Sequence, residues 1–203
     1  MQPQELLNRC VDANDFIEEP HHFRMGKNQE MIDQINDNTR LIVVGTFIPN
    51  IPFFYTGVNN VTYRKLDERF NTNVFSQCKN EINNHLDKPR EYIDQLKERL
   101  SEIGLVFFDA IEKANVYDLN GSPDENIENL VIDNDMINRL LEFQIIHPNR
   151  IVAASGFAQL VLDNYGINYY YPKYGLVRGH GNSLNENWAN IFNEYLDDHT
   201  FAC

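Results

Sequence analysis

The stretch Arg40-Leu41-Ile42-Val43-Val44-Gly45-Thr46 decides the fold. Its apolar residues follow one another without polar alternation, as in a parallel strand covered on both faces. Two later stretches repeat the pattern: Gly104 to Ile111 (G-L-V-F-F-D-A-I) and Arg150 to Ser155 (R-I-V-A-A-S). A fourth, weaker strand is read over Tyr174 to Arg178. Helical patterns separate them. One carries Tyr63, Leu66 and Phe70 on a single face, and one opens at Pro89 with Tyr92, Ile93, Leu96, Leu100 and Ile103 at three-to-four-residue spacing. Ser122-Pro123-Asp124-Glu125 reads as a helix start, with helix continuing from Asp133 to Gln144. Gly156 opens a helix with Leu160, Val161 and Tyr165 inward, and Ser183-x-x-Glu186 opens a last one burying Trp188, Ile191, Phe192 and Tyr195. Strands alternating with helices predict an α/β fold, a three-layer α/β/α arrangement around a four-stranded, mainly parallel sheet. Residues 1–39 read as a peripheral helical preface, with a helix around Gln29 to Ile35, and residues 1–203 as one domain.

Composition bounds the function. The chain has 203 residues, 30 acidic against 17 basic, for a formal net charge of −13. That balance argues against tight nonspecific binding to duplex DNA, although a local basic patch acts within roughly a Debye length of ~8 Å. The three cysteines, Cys10, Cys78 and Cys203, show no C-x-x-C pair, so no zinc knuckle or disulfide framework is expected. No metal and no cofactor is called for. The apolar runs are far short of the ~20 residues of a membrane span, and no signal pattern opens the chain, so a cytoplasmic protein is expected.

In open parallel sheets, ligands bind beyond the carboxyl ends of the strands. The loop after the first strand is the most informative. It runs Gly45-Thr46-Phe47-Ile48-Pro49-Asn50, then Phe54-Tyr55-x-Gly57-x-Asn59-Asn60-x-x-Tyr63. A strand-end glycine lets a ligand near the backbone, aromatic rings offer a stacking wall, and an Asn supplies a donor and an acceptor, a set suited to a planar heterocycle. The same loop also reads as a Pro- and Asn-rich turn with its aromatics folded over the core.

These segments resemble the uracil-DNA glycosylase superfamily, closest to its hypoxanthine-type and mismatch-type branches. L-I-V-V-G-T-F-I-P-N followed by F-F-Y-T-G-V-N-N is similar to their G-(S/T)-F-P, Y-Y-G and N-x-F-W elements. G-L-V-F-F-D-A-I with the later G-S-P-D-E-N-I resembles G-x-x-x-W-D-V and G-S-x-D-x-x-I, and R-I-V-A-A-S-G-F-A resembles the strand before a G-x-x-A helix. The resemblance covers residues 40–192 in order. It implies a DNA glycosylase that flips out a deaminated base, uracil or hypoxanthine, and hydrolyses its N-glycosidic bond. Asn60 and His180 would be catalytic. Gly45, Thr46, Phe47, Phe54, Tyr55 and Asp109 would form the base pocket, Arg178, Asn182 and Ser183 would contact DNA, and Asp124 would be a further polar site residue. Ile48 adds a residue to the G-x-F-P spacing, Phe47 stands where other branches have an Asp base, and the last loop lacks the Pro-Ser run. Simpler roles stand beside these: Asp109 as a turn cap, His180 as a solvent-facing side chain, Asp124 as a first-turn acid favoured by the helix dipole. The partner expected is DNA with a damaged or mismatched base, with neither membrane nor nucleotide cofactor. A catalytically silent relative that binds a nucleobase, a nucleotide or a protein partner is the alternative that the acidic surface suggests.

Overall fold

A computed structural model describes residues 2–47, 52–57, 60–117, 126–172, 175–176 and 182–196, with only the backbone at 182 and 183. The helices are α1 (Pro3–Leu7), α2 (Thr62–Phe70), α3 (Val74–Asn84), α4 (Arg90–Glu102), α5 (Asn134–Ile146), α6 (Gly156–Asn164) and α7 (Asn182–Tyr195). The strands are β1 (Phe23–Met25), β2 (Leu41–Gly45), β3 (Leu105–Asp109), β4 (Ile111–Val116), β5 (Ile127–Ile132) and β6 (Ile151–Ala153).

The three continuous apolar stretches form one parallel sheet in the order β3-β2-β6, with β2 in the middle. Every residue of these strands is buried, which is why none alternates with polar residues. Helices pack on it through apolar faces: Ile93, Leu96 and Leu100 of α4, Phe157, Ala158, Val161 and Leu162 of α6, and Trp188, Ile191 and Phe192 of α7 are all buried. One cluster of buried side chains runs from Leu6 to Leu196.

The α/β class therefore holds, but the four-stranded parallel sheet does not. Gly175, inside the expected fourth strand, has a left-handed φ of 66°, which extended pairing does not permit. Tyr174, Val177 and Arg178 lie outside the described residues. The position beside β6 is instead taken by one parallel bridge between Val152 and Tyr170. The Tyr170 carbonyl accepts from the Ala153 N–H at 2.9 Å, and the Tyr170 N–H donates to the Ile151 carbonyl at 2.8 Å.

A second, antiparallel sheet of order β1-β4-β5 stands next to the first. It corrects two expectations. The preface over residues 1–39 supplies the edge strand β1, and two 3-10 turns, Asn28–Glu30 and Ile32–Gln34, replace a helix around Gln29 to Ile35. The chain after the 122–125 segment is strand rather than helix: Ile127, Val131 and Ile132 are β-branched, and β5 pairs with β4. Helix starts only at Asp133, whose carboxylate caps α5 by accepting from the Met136 N–H at 2.8 Å. In α6, Leu160 is half-buried and Tyr165 is 41% exposed, because Phe157 and Leu162 take the inward positions.

The two sheets are joined by a single residue. Ala110 N–H continues the parallel ladder to the Gly45 carbonyl (2.9 Å), Ile111 N–H bonds Thr46 (3.2 Å), and the chain then enters β4. Asp109, the last residue of β3, thus sits at the corner between the sheets.

Candidate functional site at the strand ends

Gly45 and Asp109 are register partners at the carboxyl ends of β2 and β3. A side chain at position 45 would start 3.0 Å from Asp109 Oδ1 and 3.3 Å from Tyr55 Oη, so any residue larger than glycine would crowd a carboxylate and a phenol. Thr46 continues the rim. Its hydroxyl lies 2.7 Å from that of Ser155, with one donating to the other, and Ser155 caps α6 by accepting from the Ala158 N–H at 3.1 Å. This pair ties the ends of β2 and β6 together.

Asp109 is 2% exposed and firmly held. The side-chain amide of Asn28 grips both of its main-chain polar groups: Oδ1 accepts from the Asp109 N–H at 2.7 Å, and Nδ2 donates to the Asp109 carbonyl at 2.7 Å. The same Nδ2 donates to Asp133 Oδ2 at 2.6 Å. Gly26 makes this approach feasible. A Cβ there would meet the Ile111 carbonyl at 2.6 Å, so only glycine lets the 26–28 segment lie flat on the corner. The segment also brings Lys27 in. Burial lowers the pKa of its ammonium, and the negative Asp109 opposes that shift.

Tyr55 enters from the loop with a left-handed φ of 54°. Its ring is fixed by Phe107 (centroids 4.9 Å) and by the edge-on Trp188 (5.3 Å). Burial first, and then the charge of Asp109, drive its hydroxyl pKa far above the ordinary phenol value. Neither Tyr55 Oη nor Trp188 Nε1 has a hydrogen-bond partner among the described residues, and both are buried. Orphaned buried donors are rare, since each costs about 1–3 kcal/mol if left dry.

The other expected residues are placed differently. Phe47 is 2% and Phe54 1% exposed, so both are core walls. Phe54 stacks at 24° on Phe107, and its carbonyl accepts the Tyr63 hydroxyl at 2.5 Å. Asn60 belongs to a separate network. Its Oδ1 accepts from the Thr62 N–H (2.9 Å) and the Thr62 hydroxyl (2.6 Å), and its carbonyl accepts from Lys79 Nζ at 2.7 Å. Burial, and then Arg64, lower the Lys79 pKa. Asp124, Arg178 and His180, and the side chains of Asn182 and Ser183, lie outside the described residues.

Gly45, Thr46, Tyr55 and Asp109 are thus brought together, and Asn60 is given other neighbours. Sequence reasoning missed Asn28 and Lys27, 81 and 82 positions from Asp109, for which no local signal exists. Ser155 carried one: an N-cap residue directly after a buried strand. Among the described residues, no three His, Cys, Asp or Glu side chains gather as a metal site, and no helix is long and apolar enough to cross a membrane. The assembled groups offer a rigid acceptor carboxylate and a phenol donor in low dielectric, where each hydrogen bond is stronger than in water. No protein-family model, curated protein or solved structure matches the chain.

Proposed function

We propose that the protein is a monofunctional DNA glycosylase of the uracil-DNA glycosylase type. It acts in the cytoplasm on uracil or hypoxanthine flipped out of DNA, and it hydrolyses the N-glycosidic bond. One observation carries this reading: Gly45, Thr46, Tyr55 and Asp109 meet at the carboxyl ends of adjacent parallel strands, where open α/β sheets bind ligands. The motif resemblance names the ligand as a base, and the buried acceptor and donor suit a heterocycle that carries both N–H and C=O. In this reading Asp124, Arg178 and His180 supply the remaining polar contacts, with Asn182 and Ser183 on the DNA. Removing a base from the stack costs a few kcal/mol and is cheapest for a mismatched or damaged one, which gives selectivity before any chemistry.

The test uses purified protein with single-stranded and duplex oligonucleotides bearing uracil or hypoxanthine. Abasic product is expected, and its absence from all four substrates ends the enzyme reading. Asn60→Ala, in which Thr62 loses its acceptor, is expected to weaken the start of α2 as well as any activity.

A second reading, a binding module without catalysis, is favoured by the net charge of −13 and by the local cations being paired. Arg64 Nη2 donates to Asn185 Oδ1 at 2.9 Å, Arg64 also lies 3.7 Å from Glu68, and Lys65 pairs with the same glutamate. Salt separates the readings. A DNA enzyme loses affinity with a slope set by the number of phosphates it contacts, whereas a protein-binding face does not.

A further inference from the structure

We propose that a second copy of this chain docks on the edge of the parallel sheet at Tyr169 to Tyr171, beside Ile145 and Ile146, and that the two copies close as a two-fold pair. Nothing in this pairing rests on the function proposed above.

The parallel sheet ends on one side at β6, where Tyr170 makes its bridge to Val152. Both main-chain groups of Tyr170 point inward: the N–H donates to the Ile151 carbonyl at 2.8 Å and the carbonyl accepts from the Ala153 N–H at 2.9 Å. In an extended segment the main-chain groups of successive residues point to opposite sides in the plane of the sheet, so those of Tyr169 and Tyr171 face away from β6. They bond to no described residue. A row of unpaired N–H and C=O groups is a template for another strand, and natural edges are ordinarily guarded by charged side chains.

This edge has no such guard. Phe143 to Asn149 and Asn164 to Pro172 contain no Asp, Glu, Lys or Arg. In a chain of which 23% is charged, tracts of that length would carry about four charges between them. The two tracts touch, since the Asn168 N–H donates to Gln144 Oε1 at 3.0 Å. The charges that flank them in sequence are engaged: Asp163 accepts the Tyr169 hydroxyl at 2.9 Å, and Arg150 donates to the Tyr195 carbonyl at 3.1 Å. Against this neutral ground Ile145 is 81% and Ile146 71% exposed, with Tyr165 and Tyr170 exposed beside them. Apolar side chains that open to water, grouped at an unguarded edge, mark a surface that another protein covers.

Three features select a second copy as the cover. A two-fold axis through Tyr170 brings the edge onto itself in antiparallel register, so that Tyr169 and Tyr171 of each copy exchange N–H and carbonyl bonds and the two Tyr170 rings lie opposite each other. Charge points the same way. At a net charge of −13, two copies repel over most of their surface and can meet only where charge is missing, whereas a basic partner would be drawn to the acidic faces instead. The position is also free of conflict. His147 to Arg150 lead into the start of β6, so the patch lies toward the amino ends of the parallel strands, and Gly45 and Asp109 lie at the carboxyl ends. Both strand-end faces stay open in the pair.

The experiment measures mass by light scattering and sedimentation from about 1 to 100 µM, a range that spans the Kd of a weak interface. The variants are a double substitution, Ile145→Asp with Ile146→Asp, and separately Tyr170→Lys, with thermal melting to confirm folding. Wild type is expected to reach twice the chain mass of 23.7 kDa, and both variants to stay at that mass. Hydrogen exchange in the wild type should slow about 10-fold or more at the Tyr169 and Tyr171 amides as concentration rises, while the Tyr170 amide, already bonded inward, stays constant. A wild type that remains at 23.7 kDa at the highest concentration overturns the proposal. So does association that both variants leave intact, which would put the contact on another face. Mass that climbs without limit overturns the closed pair, and a dimer whose Tyr169 and Tyr171 amides exchange freely overturns the edge register. If the double variant fails to melt cooperatively, Tyr170→Lys decides alone.

Discussion

The two sheets differ in what covers them, and that difference governs stability and legibility alike. In the parallel sheet, β2, β3 and β6 are buried at every residue. In the antiparallel sheet, β1 has no fully buried residue, while β4 and β5 mix buried with half-exposed positions. The first sheet anchors the core and the second frames it, with Asp109 where they meet. A group placed at such a corner has its backbone fixed by both sheets while its side chain faces the strand-end loops.

Substitutions can break this comparison or sharpen it. The largest effect is expected for Phe107→Ala, since Phe107 is 0% exposed and its ring meets Phe54, Tyr55, Tyr63 and Trp188. Urea unfolding should show a loss of about 3–5 kcal/mol. The half-buried Phe23 of β1, whose ring contact is Phe16, should cost only about 1 kcal/mol on truncation to Ala. Equal losses would mean that the antiparallel sheet is no mere frame.

Asn28→Ala comes next. It strands the Asp109 N–H and carbonyl and takes a donor from Asp133, so about 2–4 kcal/mol should be lost. Hydrogen exchange should locate the damage at the corner, speeding the amides of residues 109 to 111 more than those of β2. Uniform acceleration throughout would show that Asn28 supports the whole fold instead.

Alkaline unfolding gives the third comparison. Burial raises the pKa of Tyr55 and Tyr63 in the folded state above their ordinary value of 10.0. The folded protein therefore binds more protons than the unfolded chain once pH passes 10, and stability must fall as pH rises beyond it. Tyr63→Phe should flatten that limb in a pH series of melting temperatures. Tyr117, just past the end of β4 and held up to about 12 chiefly by a hydrogen bond with Glu19, is exposed, and Tyr117→Phe should barely change the limb.

The smallest effect is expected at the surface. Arg90, 61% exposed, pairs with Glu30, and Arg90→Ala should cost less than about 1 kcal/mol, with salt narrowing the difference.

The parallel sheet was legible because burial on both faces leaves a long apolar run, and the final helix because Trp188, Ile191, Phe192 and Tyr195 keep helical spacing. The outer sheet was not. Ile111-Glu112-Lys113-Ala114-Asn115-Val116 carries bulges at both ends of its pairing, which interrupt strict alternation. Helix α3 was also missed, because Asn80, Asn83 and Asn84 dilute its apolar face, and the N–H groups of Phe75 and Ser76 are capped by Asp67 of α2, with Thr72 reaching only that of Val74. That Gly45 and Asp109 close adjacent parallel strands was legible from the apolar runs, while their role and that of Tyr55 came from the motif resemblance. Asn60 accepts from the Thr62 N–H, a role that an Asn just before a helix suits as well as chemistry. Asn28 and Lys27 were invisible, because only folding brings the 26–28 segment to residue 109.

That last contact has a temporal side. Asn28 finds its partners 81 and 105 residues downstream. On a ribosome, the segment emerges early and must wait, unfastened, until residue 133 has cleared the exit tunnel. At about 5–20 residues per second, that wait lasts several seconds. The corner at Asp109 is therefore among the later parts of the nascent chain to be completed.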